Sequence, residues 1–305
     1  MNNNMVKDIA ASVKQRLLNV SRERREDYNF VLRQYVLQRL MYRLGVSAFA
    51  DDFLLKGGLL FWVWNESFHR PTQDMDLLGF GSDDIALLKD KFLSVIQIES
   101  DDGLVFDPQK LEAIDIKEDA KYQGVRITGR ATLVKADIPY QIDIGFGDAV
   151  VAVESTTEIP VFLDDLPAPK LKVYPVESVI AEKFHAMVVL GLLNSRMKDF
   201  FDIVTLAEMM HLESKVLQLA IQATFERRDT AITGDPLTIF TDGFMSSADK
   251  EKQWRAFVSK NRLDGTASFS ETVNKIQLLL EPLYQQIVEN IVDDRQWSSE
   301  TWSWS

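Results

Sequence analysis

The chain has 305 residues, 46% of them hydrophobic, and a formal net charge of −12. This length suits one large domain or two ordinary domains, each with a substantial core. The absence of cysteine excludes disulfides, thiolate zinc sites and cysteine nucleophiles, and it fits a reducing cytoplasm. The acidic balance argues against a general nucleic-acid coat protein, although it leaves room for a local basic patch.

The start of the chain, MNNNMVKDIAASVKQ, lacks the basic-then-apolar layout of a secretory signal. The sequence also lacks an uninterrupted apolar run of about 18 residues. We therefore expect a cytoplasmic protein with no membrane span. Helices are predicted over residues 4–20 and 25–45, because apolar residues in the second segment recur near the helical period.

A glycine pair, Gly57-Gly58, opens the apolar run LLFWVWN, which predicts a short helix. Glycines before a helix let backbone N–H groups approach phosphate oxygens closely. The following MDLLGF predicts a strand, so Asp74 and Asp76 project on the same face. Two adjacent carboxylates repel each other unless a cation lies between them, and oxygen ligands on a strand suit Mg²⁺. This combination indicates phosphoryl or nucleotidyl transfer.

A helix is predicted over residues 83–97, with Ser82 or Asp83 as its N-cap. A turn is predicted at residues 137–139, Asp-Ile-Pro. Strands are predicted around this turn at 104–106, 112–117, 122–135 and 138–146. Asp143 lies between two isoleucines on the last strand, which favours a central strand and a third carboxylate beside the first two. A buried carboxylate needs a partner, and a metal is the simplest one. The alternative is that all three aspartates are turn or surface residues.

Four prolines between Pro160 and Pro175 predict a linker. We therefore expect one domain over residues 1–165 and a helical domain over residues 166–292. The tail, residues 293–305, is expected to be flexible or docked by its tryptophans. A proline within the last predicted helix should bend or divide it. The helices of the second domain are predicted at 176–191, 195–210, 213–226, 247–260 and 269–292.

Two polar residues, Arg70 and Thr72, precede the paired aspartates. Arg70 has the geometry to bind a triphosphate bidentately, and a solvated loop charge is the alternative. Further along, Arg126 and Arg130 share one face of a predicted strand. They predict a basic surface for the phosphates of an acceptor strand, with a solvated, charge-mixed surface as the alternative.

Lys183 lies on a largely apolar predicted helix, and Asp199 and Asp202 share one face of the next. The functional interpretation of Lys183 is a point charge for nucleotide phosphates. The structural interpretation is a salt bridge with Arg196 and Asp199. Both interpretations stay open at this point.

Several segments together closely resemble the AbiEii-type nucleotidyltransferases: LLKGGLLFWVW, RPTQDMDLLGF, YQIDIGFGDAV, YPVESVIAEKFHAM and NSRMKDFFDI. These proteins are toxin components of type IV abortive-infection toxin–antitoxin pairs, in the DNA polymerase β-like superfamily. The resemblance extends from residue 20 to residue 292 and is specific through the combination of its motifs. It implies an α/β nucleotidyltransferase fold, a small mixed β-sheet with helices, followed by a helical C-terminal domain.

The resemblance also implies site residues. The family's motifs match, in chain order, Gly57-Gly58, Asp74 with Asp76, Asp143, Lys183, and Asp199 with Asp202. Gly58 stands where a serine often occurs, which makes phosphate binding more dependent on backbone N–H groups.

The activity implied is two-metal transfer of a nucleotide from an NTP, with Mg²⁺ or Mn²⁺. Asp74 and Asp76 would hold the metals, and Asp143 would bind the catalytic metal and help deprotonate the acceptor hydroxyl. The glycine pair and Lys183 would hold the β- and γ-phosphates. Some relatives modify tRNA 3′ ends, so we expect an RNA acceptor and a cognate antitoxin. The rival classes are a small-molecule nucleotidyltransferase of the antibiotic-modifying type and a non-catalytic nucleotide-binding protein.

Overall fold

The computed structural model describes residues 3–65, 72–119, 122–151, 156–263, 265–292 and 294–305. The chain divides into two compact units. The first comprises Met1–Gly147 and Glu154–Tyr174, and the second comprises Asp148–Val153 and Pro175–Ser305. The chain therefore enters the second unit for residues 148–153 and again from residue 175 onward, whereas the proline pattern predicts a boundary after residue 165.

The first unit is a mixed sheet with helices. Its elements are α1 (Asn3–Arg24), α2 (Tyr28–Gly45), β1 (Phe53–Lys56), α3 (Leu60–Asn65), β2 (Met75–Gly79), α4 (Ile85–Ile96), β3 (Leu104–Phe106), β4 (Glu112–Asp119), β5 (Tyr122–Leu133), β6 (Ala136–Phe146), β7 (Thr157–Glu158) and β8 (Lys170–Val173). The strand order is β3-β5-β6-β2-β1-β8-β7, and β4 pairs with the first half of β5, on the same edge that pairs with β3 near the end of β5. The β2–β6 and β1–β8 pairs are parallel, and the other strand pairs of the sheet are antiparallel.

The two strands that carry the predicted carboxylates are central. β2 lies between β6 and β1, and β6 lies between β5 and β2. Met75 and Leu77 of β2 and Ile142 and Ile144 of β6 are fully buried, because alternate side chains of these strands face the core. The predicted α/β fold with a small mixed sheet is confirmed.

The hairpin between β5 and β6 differs from the prediction. Its turn is at Val134-Lys135, with Val134 at a positive φ of 59°, and Leu133 pairs with Ala136. The predicted turn at residues 137–139 was wrong, since Asp137 and Pro139 lie within β6. The reason is that the antiparallel ladder continues to this point: Asp137 faces Thr132 in the register and binds Arg130 through its side chain.

The predicted linker is packed into the first unit. β8 pairs in parallel with β1, the indole N–H of Trp62 donates to the Pro160 carbonyl at 2.7 Å, and Arg39 donates to the Pro167 carbonyl at 2.8 Å. The prolines therefore shape an ordered return path to the sheet. At the start of α4 the N-cap is Asp84, which accepts from the Leu87 N–H, in place of the predicted Ser82 or Asp83.

The second unit is helical. Its elements are α5 (Val176–Leu190), α6 (Met197–Met209), α7 (Ser214–Arg227), α8 (Asp242–Met245), α9 (Ala248–Asn261), α10 (Phe269–Val288), β9 (Trp297–Ser298) and β10 (Ser303–Trp304). Its core includes an aromatic cluster of Phe184, Phe225 and Tyr284. α10 contains Pro282 and ends at Val288, so the proline does not divide the helix as one of our expectations had it.

Tryptophans dock the C-terminal tail on the second unit. β9 and β10 form a two-stranded hairpin, the indole N–H of Trp297 donates to the Ala207 carbonyl, and that of Trp304 donates to the Leu279 carbonyl, each at 2.9 Å. The tail was expected to be either flexible or docked by its tryptophans, and in the structure it is docked. Across the described residues, no helix has both the length and the apolar character that crossing a bilayer requires.

Candidate active site

Three carboxylates meet on the open face of the sheet. Asp74 precedes β2, Asp76 lies within it, and Asp143 lies on β6. Because β2 and β6 are parallel and in a register that places Asp76 beside Asp143, the side chains project from the same face. One oxygen from each carboxylate lies within 4.8 Å of the others. We call this group the carboxylate triad.

Each member of the carboxylate triad has a different environment. Asp143 is buried, and Asp74 and Asp76 are half-buried. Asp74 forms no hydrogen bond or ion pair with any other residue in the part of the chain that the structure describes. Three negative charges this close would repel one another strongly. A nearby positive charge is needed to reduce this repulsion.

Arg126 on β5 supplies one such charge. Its Nε donates to Asp143 Oδ1 at 2.8 Å and its terminal nitrogen donates to Asp143 Oδ2 at 2.7 Å, a bidentate pair. Gln141 also donates to Asp143 Oδ2, at 3.1 Å. The Asp143 carboxylate raises the pKa of the Arg126 guanidinium, and the charges of Asp74 and Asp76 add to this effect.

A row of charged residues crosses four adjacent strands at this level. Lys56 of β1 is opposite Asp76, Asp76 is beside Asp143, and Asp143 is opposite Arg126. Directly opposed residues share a face of the sheet, so a cation flanks the two central aspartates on each side. The sequence did not indicate the place of Lys56 and Arg126 in this row. A correctly placed hairpin turn at residues 134–135 would have paired Arg126 with Asp143.

The glycine turn lies directly against the carboxylate triad. Gly57 has a positive φ of 74°, and a Cβ at this position would lie 1.8 Å from Asp76 Oδ2. A Cβ on Gly58 would lie 2.1 Å from the hydroxyl oxygen of Thr72. The glycine pair therefore lets the backbone turn pass between Asp76 and Thr72, which no residue with a side chain would allow without displacing one of them.

The Thr72 hydroxyl has no hydrogen-bond partner among the described residues, although Thr72 is only 4% exposed. A buried polar atom without a partner is uncommon and calls for an explanation. The hydroxyl group occupies the space in front of Gly58, where the side chain of a serine would otherwise lie. Arg70, the other polar residue predicted here, lies outside the described residues.

In the second unit, Lys183 and the two predicted aspartates form a separate cluster. Lys183 Nζ lies 2.8 Å from Asp199 Oδ1 and 2.8 Å from Asp202 Oδ2. Arg196 Nε lies 2.7 Å from Asp199 Oδ2, and both aspartate side chains are buried. The structure thus contains the salt bridge of the structural interpretation. We call these four residues the Lys183 cluster.

A family model for the "Nucleotidyl transferase AbiEii toxin, Type IV TA system" matches residues 39–278. This range includes the carboxylate triad, the glycine turn and the Lys183 cluster. The chain belongs to this family. The predicted resemblance to the AbiEii nucleotidyltransferases is confirmed, and with it the membership of a toxin family.

Two solved structures, both from Helicobacter pylori, are similar to this AbiEii family member. The first is the crystal structure of JHP933, with 14% identity, a TM-score of 0.49, and coverage of 87% of this chain and 95% of that chain. The second is of a protein proposed to be a nucleotidyltransferase, with 14% identity, a TM-score of 0.44, and coverage of 85% and 96%. No curated protein sequence matches the chain significantly.

In this AbiEii protein a cleft of about 620 Å³ opens beside Asp74, within the first unit. Its polar lining includes Gln73, Gln141 and Thr128, and its charged lining consists of Arg33, Lys110, Arg130, Asp74 and Glu112. Arg33 donates to the Gln73 side chain at 2.9 Å and has no carboxylate partner among the described residues. The cleft adjoins the carboxylate triad and is accessible from solvent.

The basic surface predicted at Arg126 and Arg130 stays a prediction, and in the structure both arginines are paired with aspartates. Arg126 is paired with Asp143, and Arg130 Nε lies 2.6 Å from Asp137 Oδ1. Each arginine faces an aspartate across the hairpin, so the charge of each is largely compensated locally. Arg130 lies on the cleft together with Arg33 and Lys110, and Lys110 Nζ lies 3.7 Å from Asp107 Oδ2.

Proposed function

We propose that this AbiEii family member is a cytoplasmic, metal-dependent enzyme that transfers an NMP from an NTP to a hydroxyl at the 3′ end of RNA, with tRNA as the expected acceptor. We further propose that it acts as the toxin of a type IV pair with a cognate antitoxin. The carboxylate triad beside a glycine turn carries this proposal, since carboxylates that bind metal and a backbone that binds phosphate are what nucleotidyl transfer needs.

The carboxylate triad fits Mg²⁺ or Mn²⁺. Asp74, Asp76 and Asp143 each offer an oxygen atom within 4.8 Å of the other two, and hard divalent cations prefer oxygen ligands. Bound at this cluster, the cations would neutralise charge on the phosphates and polarise the phosphoryl oxygens. Gly57 keeps the space beside Asp76 open, because a Cβ there would overlap the carboxylate.

The nucleotide phosphates are assigned to the glycine turn. The backbone N–H groups of Gly57 and Gly58 would donate to the phosphate oxygens, and the unpartnered Thr72 hydroxyl would add one donor. Arg70 remains a proposed phosphate contact from its position in the sequence. The nucleotide contacts proposed for the second unit, on the basis of the family motifs, are Lys183, Asp199 and Asp202.

In the proposed reaction the acceptor hydroxyl oxygen forms a bond to the α-phosphorus of the NTP. The bond from this phosphorus to the β-phosphate bridging oxygen breaks, and pyrophosphate leaves with the electron pair. We assign the hydroxyl proton to the Asp143 carboxylate. The products are the nucleotidylated acceptor and pyrophosphate.

The cleft beside Asp74 is our candidate for the acceptor site. It joins the carboxylate triad at one end, and Arg33 and Lys110 supply positive charge to its lining. The net charge of −12 repels RNA from the rest of the surface, so local cations must provide the attraction. Amide and hydroxyl groups in the lining are suited to sugar hydroxyls and phosphates.

The test is to incubate the protein with each labelled NTP, Mg²⁺ and total cellular RNA and to measure labelled RNA and released pyrophosphate. We expect labelling at RNA 3′ ends that falls steeply with added salt. Arg33→Glu with Lys110→Glu should reduce RNA labelling at unchanged NTP affinity. The matched control, Lys252→Glu with Lys260→Glu on exposed positions of α9, changes the net charge equally and should label RNA normally.

Two outcomes would favour the rival functions. Pyrophosphate release with a small hydroxyl compound, and no labelled RNA, would identify a small-molecule nucleotidyltransferase. NTP binding without pyrophosphate release under any acceptor condition would identify a non-catalytic nucleotide-binding protein. Equal loss of RNA labelling in both charge-reversal pairs would remove the cleft as the acceptor site.

A further inference from the structure

Arg126 occupies both oxygens of one member of the carboxylate triad. The guanidinium pairs with Asp143 through two hydrogen bonds of 2.8 and 2.7 Å, and the two residues are directly opposed on antiparallel strands. Asp143 is 7% exposed, so its charge is poorly screened by solvent and depends on this arginine.

Without a metal, the two cations in the charged row compensate part of the negative charge of the carboxylate triad. Three aspartates contribute three negative charges, and Lys56 and Arg126, which flank them in the charged row, contribute two positive charges. A divalent cation that entered this arrangement would meet a net charge of −1. With Arg126 withdrawn it would meet a net charge of −2 and a carboxylate with free lone pairs.

We propose that Arg126 is the internal counterion of the carboxylate triad, and that it must release Asp143 before the triad can bind a divalent cation fully. Cation binding and movement of the guanidinium are therefore coupled. Arg126 is a positioning residue in this scheme, because it acts through Asp143.

The structure permits this movement. The Arg126 side chain is 36% exposed. Ile114, the residue of β4 that pairs with Arg126, is also exposed. The guanidinium can rotate into solvent without disturbing the core beneath β5. Rotation also frees the two Asp143 oxygen atoms from the hydrogen bonds that Arg126 donates, and the bond from Gln141 to Oδ2 can remain.

One consequence concerns the order of binding. A triphosphate brings several negative charges to the glycine turn, and these would offset the repulsion between Arg126 and an incoming cation. The cation should therefore bind weakly to the nucleotide-free protein and more tightly when the nucleotide is present. Arg126 would in this way limit metal binding in the absence of substrate.

This inference rests on the metal site of the proposed function, and its test uses binding alone. Mn²⁺ titrations of the nucleotide-free protein, followed by electron paramagnetic resonance or calorimetry, would compare wild type with Arg126→Met. We expect Mn²⁺ affinity to rise on the order of tenfold or more in the variant, since one positive charge beside the cation is removed. With a non-hydrolysable NTP analogue bound, the difference in Mn²⁺ affinity between wild type and Arg126→Met should be smaller.

Two further variants separate charge and geometry. Arg126→Lys keeps the charge but loses the bidentate fork, so its Mn²⁺ affinity should lie between those of wild type and Arg126→Met. Arg130→Met is the matched control, because Arg130 lies on the same strand and pairs with Asp137, outside the triad. It should bind Mn²⁺ as wild type does.

Folding is checked by circular dichroism and thermal melts in EDTA, where Arg126→Met should melt at a lower temperature than wild type and recover with Mn²⁺. If Arg126→Met is unfolded, the comparison of Arg126→Lys with wild type decides. The inference is overturned if the folded Arg126 variants bind Mn²⁺ with the same affinity as wild type. It is also overturned if neither wild type nor the variants bind Mn²⁺. Nucleotidyl transfer by wild type with unchanged variant affinity would overturn only the role of Arg126.

Discussion

The two units each bring buried or half-buried carboxylates together, but with different charge balance. The Lys183 cluster sets two aspartates against a lysine and an arginine, and each carboxylate has an ion-pair partner at 2.7–2.8 Å. The carboxylate triad sets three aspartates between two flanking cations, and Asp74 has no ion-pair partner among the described residues. In the Lys183 cluster the two negative charges are matched by two positive charges. In the carboxylate triad the negative charges outnumber the flanking positive charges.

The balanced charges of the Lys183 cluster fit the structural interpretation of its salt bridge, and the excess negative charge of the carboxylate triad fits its proposed role as a metal site. A balanced buried cluster holds its elements in place, and removing one member leaves a charge without compensation. An unbalanced cluster is held together against repulsion, so removing one member should relieve the fold while it impairs binding. The opposite sign of these two effects is a direct test.

The largest expected effect is in the Lys183 cluster. Lys183→Ala leaves Asp199 and Asp202 buried without their shared partner, so we expect a loss of about 3–5 kcal/mol in the free energy of unfolding. Arg255→Ala, which breaks an exposed pair with Glu251 in the same unit, should change it by no more than about 0.5 kcal/mol. Chemical denaturation measures both.

NTP affinity is measured on the same Lys183→Ala protein. A large loss of stability with unchanged affinity would show that the lysine is structural only. Weaker NTP binding at nearly wild-type stability would instead show that it contacts the phosphates, and would remove the contrast between the two clusters.

An intermediate effect of opposite sign is expected at Asp74. Asp74→Asn removes one repelling charge and no described contact, so the melting temperature in EDTA should rise, by an amount equivalent to on the order of 1 kcal/mol. The stabilisation that Mg²⁺ with NTP gives to wild type, through binding to the folded state, should be lost. Transfer activity should fall by about 10²-fold or more, the scale for a lost electrostatic contact in a transition state.

The control for Asp74 is Asp137→Asn, which removes an exposed, paired aspartate from the same sheet. It should keep the stabilisation by Mg²⁺ with NTP. Two results would contradict the view that the three carboxylates repel one another and bind a cation. One is a lower melting temperature of Asp74→Asn than of wild type, and the other is retained stabilisation of this variant by Mg²⁺ with NTP.

The smallest effect is expected at the Thr72 hydroxyl. Thr72→Val replaces a buried hydroxyl without a partner by a methyl group of similar shape, so stability should be unchanged or slightly higher. If the hydroxyl donates to a phosphate, NTP affinity should fall by about 0.5–1.5 kcal/mol. Thr132→Val, at an exposed position of β5, is the matched control for both measurements.

A hydroxyl exchange sharpens this test. Gly58→Ser alone places a Cβ 2.1 Å from the Thr72 oxygen and should weaken NTP binding. Gly58→Ser combined with Thr72→Ala restores one hydroxyl in the same space and should recover affinity. Failure of the double variant to bind better than Thr72→Ala would show that the hydroxyl does not contact the nucleotide.

The sequence by itself indicated the strands, the glycine turn and the carboxylates of the candidate site. Apolar neighbours of Asp76 and Asp143 indicated central strands, and the glycine pair indicated a tight turn before a helix. Local patterns also predicted most helices of the second unit within three residues of their observed ends; the exceptions are α10, which ends earlier than predicted, and the short α8, which was not predicted. These features depend on neighbours along the chain, which a sequence displays directly.

Only the tertiary structure decided which charges pair. Arg126 reaches Asp143 because a two-residue turn at Val134-Lys135 sets the register of β5 and β6, and a shift of that turn changes every cross-strand pair. The contact of Gly58 with Thr72 likewise depends on the return of the chain to the sheet. Charge compensation depends on distances in space, and residues far apart in sequence set those distances. In the sequence, an arginine on a solvated basic strand cannot be distinguished from one that pairs with a buried carboxylate until the strand register is known.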